Sequence, residues 1–331
     1  MKKKIVMVLM VLLVATMVTL VAQGAGEEKT RIAFIPQLIG IPYFTAMEQG
    51  GNQAAADLGV QFMYVGATEA SASEQSKLMD SLIKQQVDAI AVSVLDSSSM
   101  NPMLEKAKKA GVKVYTSDSD SPSSVRDIYV AQAMDKDLGY TLIDELAKNI
   151  GDRGKIGIVS GEATATNLNA WIGYMQDCID ERHPNIEVVD IRYTVGGSSE
   201  DSLKQAQELM IKNPDLKAIV AVASSNIAGV SQAVEQAGKI GQVDVIGYGS
   251  PATVKPYMDK GIMTTSILWD AKALGYLTVW AGVQMVNGTP FSAENTVPTF
   301  AEPVRFDAQN KILLLGDPLV ITKANVDQFD F

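Results

Sequence analysis

The stretch KVYTSDSDS, residues 113–121, ends an apolar run in bare carboxylates and hydroxyls. Val112, Val114, Tyr115 and Thr116 have the β-branched and aromatic character of a buried strand. Ser117, Asp118, Ser119, Asp120 and Ser121 then follow without a break. A plain turn is one reading. The other is a binding edge, because an ionised carboxylate accepts several hydrogen bonds and can take two adjacent hydroxyls at once. Asp118 is the expected contact, and Asp120 is expected to face solvent. A hard cation on Asp118-x-Asp120 would have too few ligands.

Similar polar stops recur along the chain. Gln37, Ser93 and Asp96 stand after apolar runs in the first half, and Asn167, Ser224, Ser225, Asn226 and Ser250 in the second. Asn both donates and accepts, as a sugar hydroxyl does. Aromatics that could cover the apolar face of a sugar ring lie nearby. Phe44 and Trp269 adjoin polar stops, whereas Tyr43 and Trp171 read equally well as core. Asp270 follows Trp269 and could cap a helix or supply a second carboxylate.

Catalytic chemistry finds little support. The single histidine, His183, precedes a strand at the end opposite the polar stops and reads as a surface loop residue. The single cysteine, Cys178, sits in a helical pattern and has no partner for an intrachain disulfide. No nucleophile elbow, phosphate loop, dinucleotide fingerprint or zinc motif is present, and no cofactor or metal is called for. Carboxylate-only catalysis, such as sugar epimerisation, is the enzyme reading that remains. An amino-acid ligand would want an Arg, and the nearest to Asp118 is Arg126. A small anion at a helix N-terminus stays open.

The elements that must position these residues occur twice. DAIAVSVLDSSSMNPMLEKAKKAGVKVYTSDSD, from Asp88, runs strand, Ser-rich loop, helix, Gly, strand, polar stop. KAIVAVASSNIAGVSQAVEQAGKIGQVDVIGYGS, from Lys217, repeats that plan, and RIAFI from Arg31 parallels KIGIV from Lys155. The fold expected is α/β, with two similar doubly wound parallel-sheet domains. Ligands of open α/β sheets bind beyond the carboxyl ends of the strands, where the polar stops lie. Two such edges facing each other make a cleft, and hinge closure is the usual motion.

The chain has 331 residues and a net charge of −10. Lys2, Lys3 and Lys4, an apolar run from Ile5 to about Val21 and small residues at Ala22, Gly24 and Ala25 read as a cleaved secretory signal, with an uncleaved membrane anchor as the alternative. Without those lysines the excess of acid is larger still, so a nucleic-acid partner is not expected.

The phrases IAFIPQ, PYFT, ASASEQ, YTSDSD, TATNLNAW, LWD followed by LGYL, and the ending ITKANVDQFDF, taken in order, resemble the periplasmic sugar-binding proteins of the ribose-binding type. Within them the chain is most similar to the branch of rhamnose-binding proteins and autoinducer-2 receptors. That resemblance implies a type I periplasmic binding protein with a three-crossing hinge, serving an ABC importer, with a chemoreceptor as the alternative partner, and monomeric by default. With the signal segment read above at 1–25, it places a first domain at 26–132 plus 268–300 and a second at 133–267 plus 301–331. It implies Asp118 as the carboxylate on ring hydroxyls, and Phe44 and Trp269 as stacking aromatics with Asp270 beside them. Asn167, its neighbour Asn169 and Ser224 become contacts from the second domain, with Gln37 opposite. Gln37, Asn167, Leu168 and Val222 depart from the autoinducer-2 form, and TATNLNAW is closer to the rhamnose form. The expected ligand is a neutral deoxysugar or other aldose, with autoinducer-2 as the alternative.

Overall fold

The computed structural model describes residues 29–329 and 331. The expected signal segment lies outside the described residues. Apolar runs too short for a helix and rich in Val and Ile form β1 (Arg31–Ile35), β2 (Gln61–Tyr64), β3 (Ala89–Val92), β4 (Lys113–Ser117) and β5 (Tyr129–Ala131). All five run parallel, in the order β5-β4-β3-β1-β2. β6 (Gly154–Ser160), β7 (Ile186–Tyr193), β8 (Leu216–Ala221), β9 (Asp244–Tyr248) and β10 (Met263–Leu268) build a second parallel sheet in the order β10-β9-β8-β6-β7. Ile32 to Ile35, Ala89 to Val92 and Ala218 to Ala221 are wholly buried, as strands covered on both faces must be. The two doubly wound sheets are those expected.

Helices connect the strands: α1 (Pro42–Leu58), α2 (Ala72–Lys84), α3 (Ser97–Lys109), α4 (Asp135–Ile150), α5 (Thr166–Arg182), α6 (Ser199–Lys212), α7 (Asn226–Gln236), α8 (Pro251–Asp259) and α9 (Ala271–Asn287). Their starts follow from local chemistry. Ser71 accepts from the Glu74 amide and Asp96 from the Ser99 amide, each satisfying an orphan donor. α1 and α9 pack so closely that a Cβ on Gly50 would lie 1.8 Å from the Lys272 carbonyl oxygen, and one on Gly275 2.0 Å from that of Met47. Only glycine permits that approach, and it ties α9 to the first sheet.

Four short strands complete the edges. β12 (Val304–Asp307) and β13 (Ile312–Leu314) join the first sheet with β11 (Glu294–Asn295), because Ile312 and Leu313 pair in parallel with Tyr129 and Val130 on its open edge. β14 (Leu319–Thr322) joins the second sheet antiparallel to β10. A domain boundary at 300/301 is therefore too early: the return to the second sheet falls after Leu314. The chain also changes sheet between β5 and β6, and α9 follows β10 back to the first. Arg31–Phe331 form one compact unit, in which the carboxyl ends of the two sheets face each other.

Candidate functional site

Asp118 lies just past β4 and is 3% exposed. Its φ is +69°, a left-handed conformation that Asp tolerates better than most residues but still at some cost. Neighbours fix it there: its amide donates to the Val130 carbonyl at 3.2 Å, and Tyr129 Oη–H donates to its carbonyl at 3.1 Å. Tyr43 Oη–H donates to Oδ1, and Ser93 Oγ–H donates to Oδ2 at 2.5 Å. Trp269 Nε1–H in turn donates to Tyr43 Oη at 3.0 Å. Burial pushes the Asp118 carboxyl up to about 6; the Ser93 and Tyr43 bonds pull it back, and Asp135 adds to the rise. Each carboxylate oxygen keeps a second lone pair for a ligand.

The carboxylate borders a cavity between the sheets. Gln37, Leu38, Ile41, Tyr43 and Phe44 line it from the first lobe. Asn167, Leu168, Trp171, Val222, Ala223, Ser224, Ser225 and Tyr248 line it from the second, with Trp269 from the crossing. The cavity is small, with about 50 Å³ able to hold the centre of a water-sized sphere. That suits one small molecule rather than a chain. Tyr43 packs edge-on against Phe44 and Trp269, with ring centroids 4.9 and 5.6 Å away, and Trp171 packs against Tyr248 and Trp269 at 4.7 and 5.8 Å. Tyr248 Oη is buried without a protein partner. Among the described residues that line the cavity, Asp118 is the only charged one.

The lobes touch across the mouth of the cavity. Gln37 Nε2–H donates to Asn167 Oδ1 at 3.2 Å, the Thr166 amide to the Leu95 carbonyl at 3.3 Å, and the Ala70 amide to the Gly196 carbonyl at 3.2 Å. This is a closed cleft.

Of the residues expected from the sequence, Gln37, Phe44, Asp118, Asn167, Ser224 and Trp269 meet at the cavity, and Tyr43 and Trp171 join them. Asn169 does not. Two residues on from Asn167 is about 200° around a helix, so its side chain is exposed and donates to the Ala163 carbonyl at 2.8 Å. Leu168 and Trp171, three apart, share the inner face with Asn167. Asp270 does not reach the cavity either. It is the N-cap of α9, exposed, accepting from the Ala273 amide at 2.8 Å. Asp96 is likewise a helix cap, and buried Asn226 braces the loops through Ala223, Thr194 and Ser202.

Asp120 does not face solvent. Its side chain is 12% exposed and pairs with Arg126, whose Nε lies 2.6 Å from Oδ1 and whose Nη2–H donates to Oδ2 at 2.7 Å. Arg126 is thereby held away from the cavity. His183 is also no loose loop residue. It closes α5, is mostly buried, and lies between Asp144 and Asp152.

A model of the periplasmic binding protein domain matches residues 32–290. The chain belongs to the periplasmic binding protein family. Its two parallel-sheet lobes are those of the type I members. This periplasmic binding protein is 28% identical over 259 residues to the D-ribose/D-allose-binding protein of Pseudomonas aeruginosa, covering 74% of this chain and 79% of that one. LsrB from Clostridium saccharobutylicum, solved in complex with AI-2, superposes with a TM-score of 0.85 at 26% identity, covering 91% of this chain and 100% of that one. An ABC transporter solute-binding protein from Clostridium phytofermentas, with bound L-rhamnose, also gives 0.85, at 25% identity and 91% and 98% coverage.

Proposed function

We propose that this protein is a receptor for a neutral monosaccharide, captured in the closed cleft and delivered to an ABC permease, with the N-terminal apolar segment directing it to the periplasm. One observation carries the reading: the cavity pairs a single buried carboxylate with aromatic walls and has no basic side chain. A carboxylate ligand would meet repulsion from Asp118 and no Arg to bind it. A polyol gives hydroxyl donors to Asp118 and a partner to the Tyr248 hydroxyl, while its ring packs on Phe44 and Trp269. In this role Gln37, Asn167 and Ser224 complete the hydroxyl contacts. The reading is therefore one of reversible binding, and recovery of the bound sugar unchanged after incubation tests it against carboxylate catalysis.

Leu168 and Val222 add an apolar wall where a more polar lining would favour a small, highly oxygenated ring. This favours a 6-deoxyhexose such as rhamnose, or another aldose, over AI-2. A methyl contact discriminates by only about 1–3 kcal/mol, and a missing hydroxyl partner by more. Calorimetric titration with rhamnose, ribose, xylose, glucose, galactose and AI-2 tests the assignment. A sugar should bind at least about tenfold tighter than AI-2. Tight binding of AI-2 with no response to any sugar would overturn it.

A further inference from the structure

The only cysteine and the only histidine of the chain converge away from the cleft. Cys178 lies in the last turns of α5, His183 closes that helix, and Asp144 faces them from α4. One ligating atom from each of the three lies within 4.8 Å of the others. Asp144 Oδ1 is 2.9 Å from His183 Nε2 and 3.6 Å from Cys178 Sγ. In a tetrahedral zinc site with bonds of about 2.0 Å to N and O and 2.3 Å to S, those edges would be about 3.3 and 3.5 Å. The two Asp144 edges thus stand within about half an ångström of the required spacing, the Cys178–His183 edge is under 4.8 Å, and an entering ion would replace the His183–Asp144 hydrogen bond.

The surroundings fit the same purpose. His183 Nδ1 is 2.6 Å from Asp152 Oδ1, the carboxylate–histidine arrangement that directs the other ring nitrogen at a metal. Arg182 Nη1–H donates to Asp144 Oδ2 at 2.8 Å, which turns Oδ1 toward Cys178 and His183. The end of α5 carries the partial negative charge of a helix C-terminus, which favours a cation. Cys178 is fully buried, whereas Asp144 and Asp152 are 33% and 58% exposed and give an entry path. Burial pushes the Cys178 thiol up to about 12, so an incoming dication must displace its proton.

We propose that Cys178, His183 and Asp144 form a structural site for a borderline-soft divalent cation, best suited to Zn²⁺, with water as the fourth ligand and Asp152 orienting the imidazole. The ion would fasten the C-terminal part of α5 to α4. Asn167 sits about 16 Å up the same helix, so the site is separate from the cleft.

Co²⁺ and Zn²⁺ titrations of the tag-free protein test this. One equivalent of Co²⁺ should give a thiolate charge-transfer band in the near ultraviolet and the visible bands of tetrahedral cobalt, and Zn²⁺ should erase both. Cys178→Ser should lose the charge-transfer band. Asp152→Asn, an exposed change that leaves packing alone, should weaken Zn²⁺ about 10–100-fold. Asp118→Ala should leave metal binding unchanged, which distinguishes this site from the cleft. No stoichiometric binding by the wild type, binding without a sulfur band, or an unchanged spectrum in Cys178→Ser would each overturn the proposal.

Discussion

Replacing Asp118 with Asn separates the cost of the buried carboxylate from its use. The rise of its carboxyl from 3.8 to about 6 is dominated by burial. It corresponds to at most about 3 kcal/mol of folding stability. Because the folded-state value lies above the unfolded one, Asp118 favours the folded chain below about pH 4, and that contribution is lost once pH passes about 6. Asn keeps the shape and cannot ionise. Asp118→Asn should therefore be more stable than wild type at pH 8, by up to about 3 kcal/mol, with the gap closing toward pH 4. Binding should move the other way. Losing charged acceptors for two hydroxyls costs on the order of 2 kcal/mol or more, so affinity should fall about thirtyfold. In the wild type, affinity should drop about tenfold for each pH unit below 6, since only the ionised form accepts both hydroxyls, and the Asn variant should lack that slope. Urea unfolding at pH 8, 6 and 4.5, with calorimetry of the best sugar at the same values, reads both effects. A variant no more stable than wild type at pH 8, or one with undiminished affinity, would refute the reasoning.

Other outcomes follow from the same geometry. Asp120→Ala leaves Arg126 buried without its carboxylate and should destabilise the fold by about 3 kcal/mol while changing sugar affinity far less than Asp118→Ala does; equal losses of affinity in calorimetry would contradict this. Sugar binding should perturb tryptophan fluorescence through Trp171 and Trp269, so the signal should survive Trp280→Phe and shrink in Trp171→Phe and Trp269→Phe. Saturating sugar should raise Tm by mass action, and small-angle scattering should give a smaller radius of gyration with ligand than without; an unchanged radius with proven binding would count against hinge closure.

The sheets and the cavity floor were legible because they depend on local pattern. Apolar runs ended by polar residues mark carboxyl strand ends, and Gln37, Asp118, Asn167 and Ser224 fall on the cavity for that reason. Orientation beyond the strand end was not legible from residue type. Asn169 and Asp270 have suitable side chains, but helix periodicity turns one outward and a capping bond folds the other back. Tertiary partners were the least visible. Arg126 reaches Asp120 only through the turn between them, and the Cys178, His183 and Asp144 cluster exists only because α4 and α5 lie side by side. β13 joins the first sheet through pairing with β5, which no feature of Ile312–Leu314 itself announces.

A crystal structure with the tightest-binding sugar of the panel tests the central claim most directly. Asp118 should accept from two adjacent sugar hydroxyls at about 2.5–3.0 Å, with the ring against Phe44 and Trp269 and Asn167 bonding a further hydroxyl. A sugar bound without contact to Asp118, or seated outside the cavity that Asp118 borders, would contradict it.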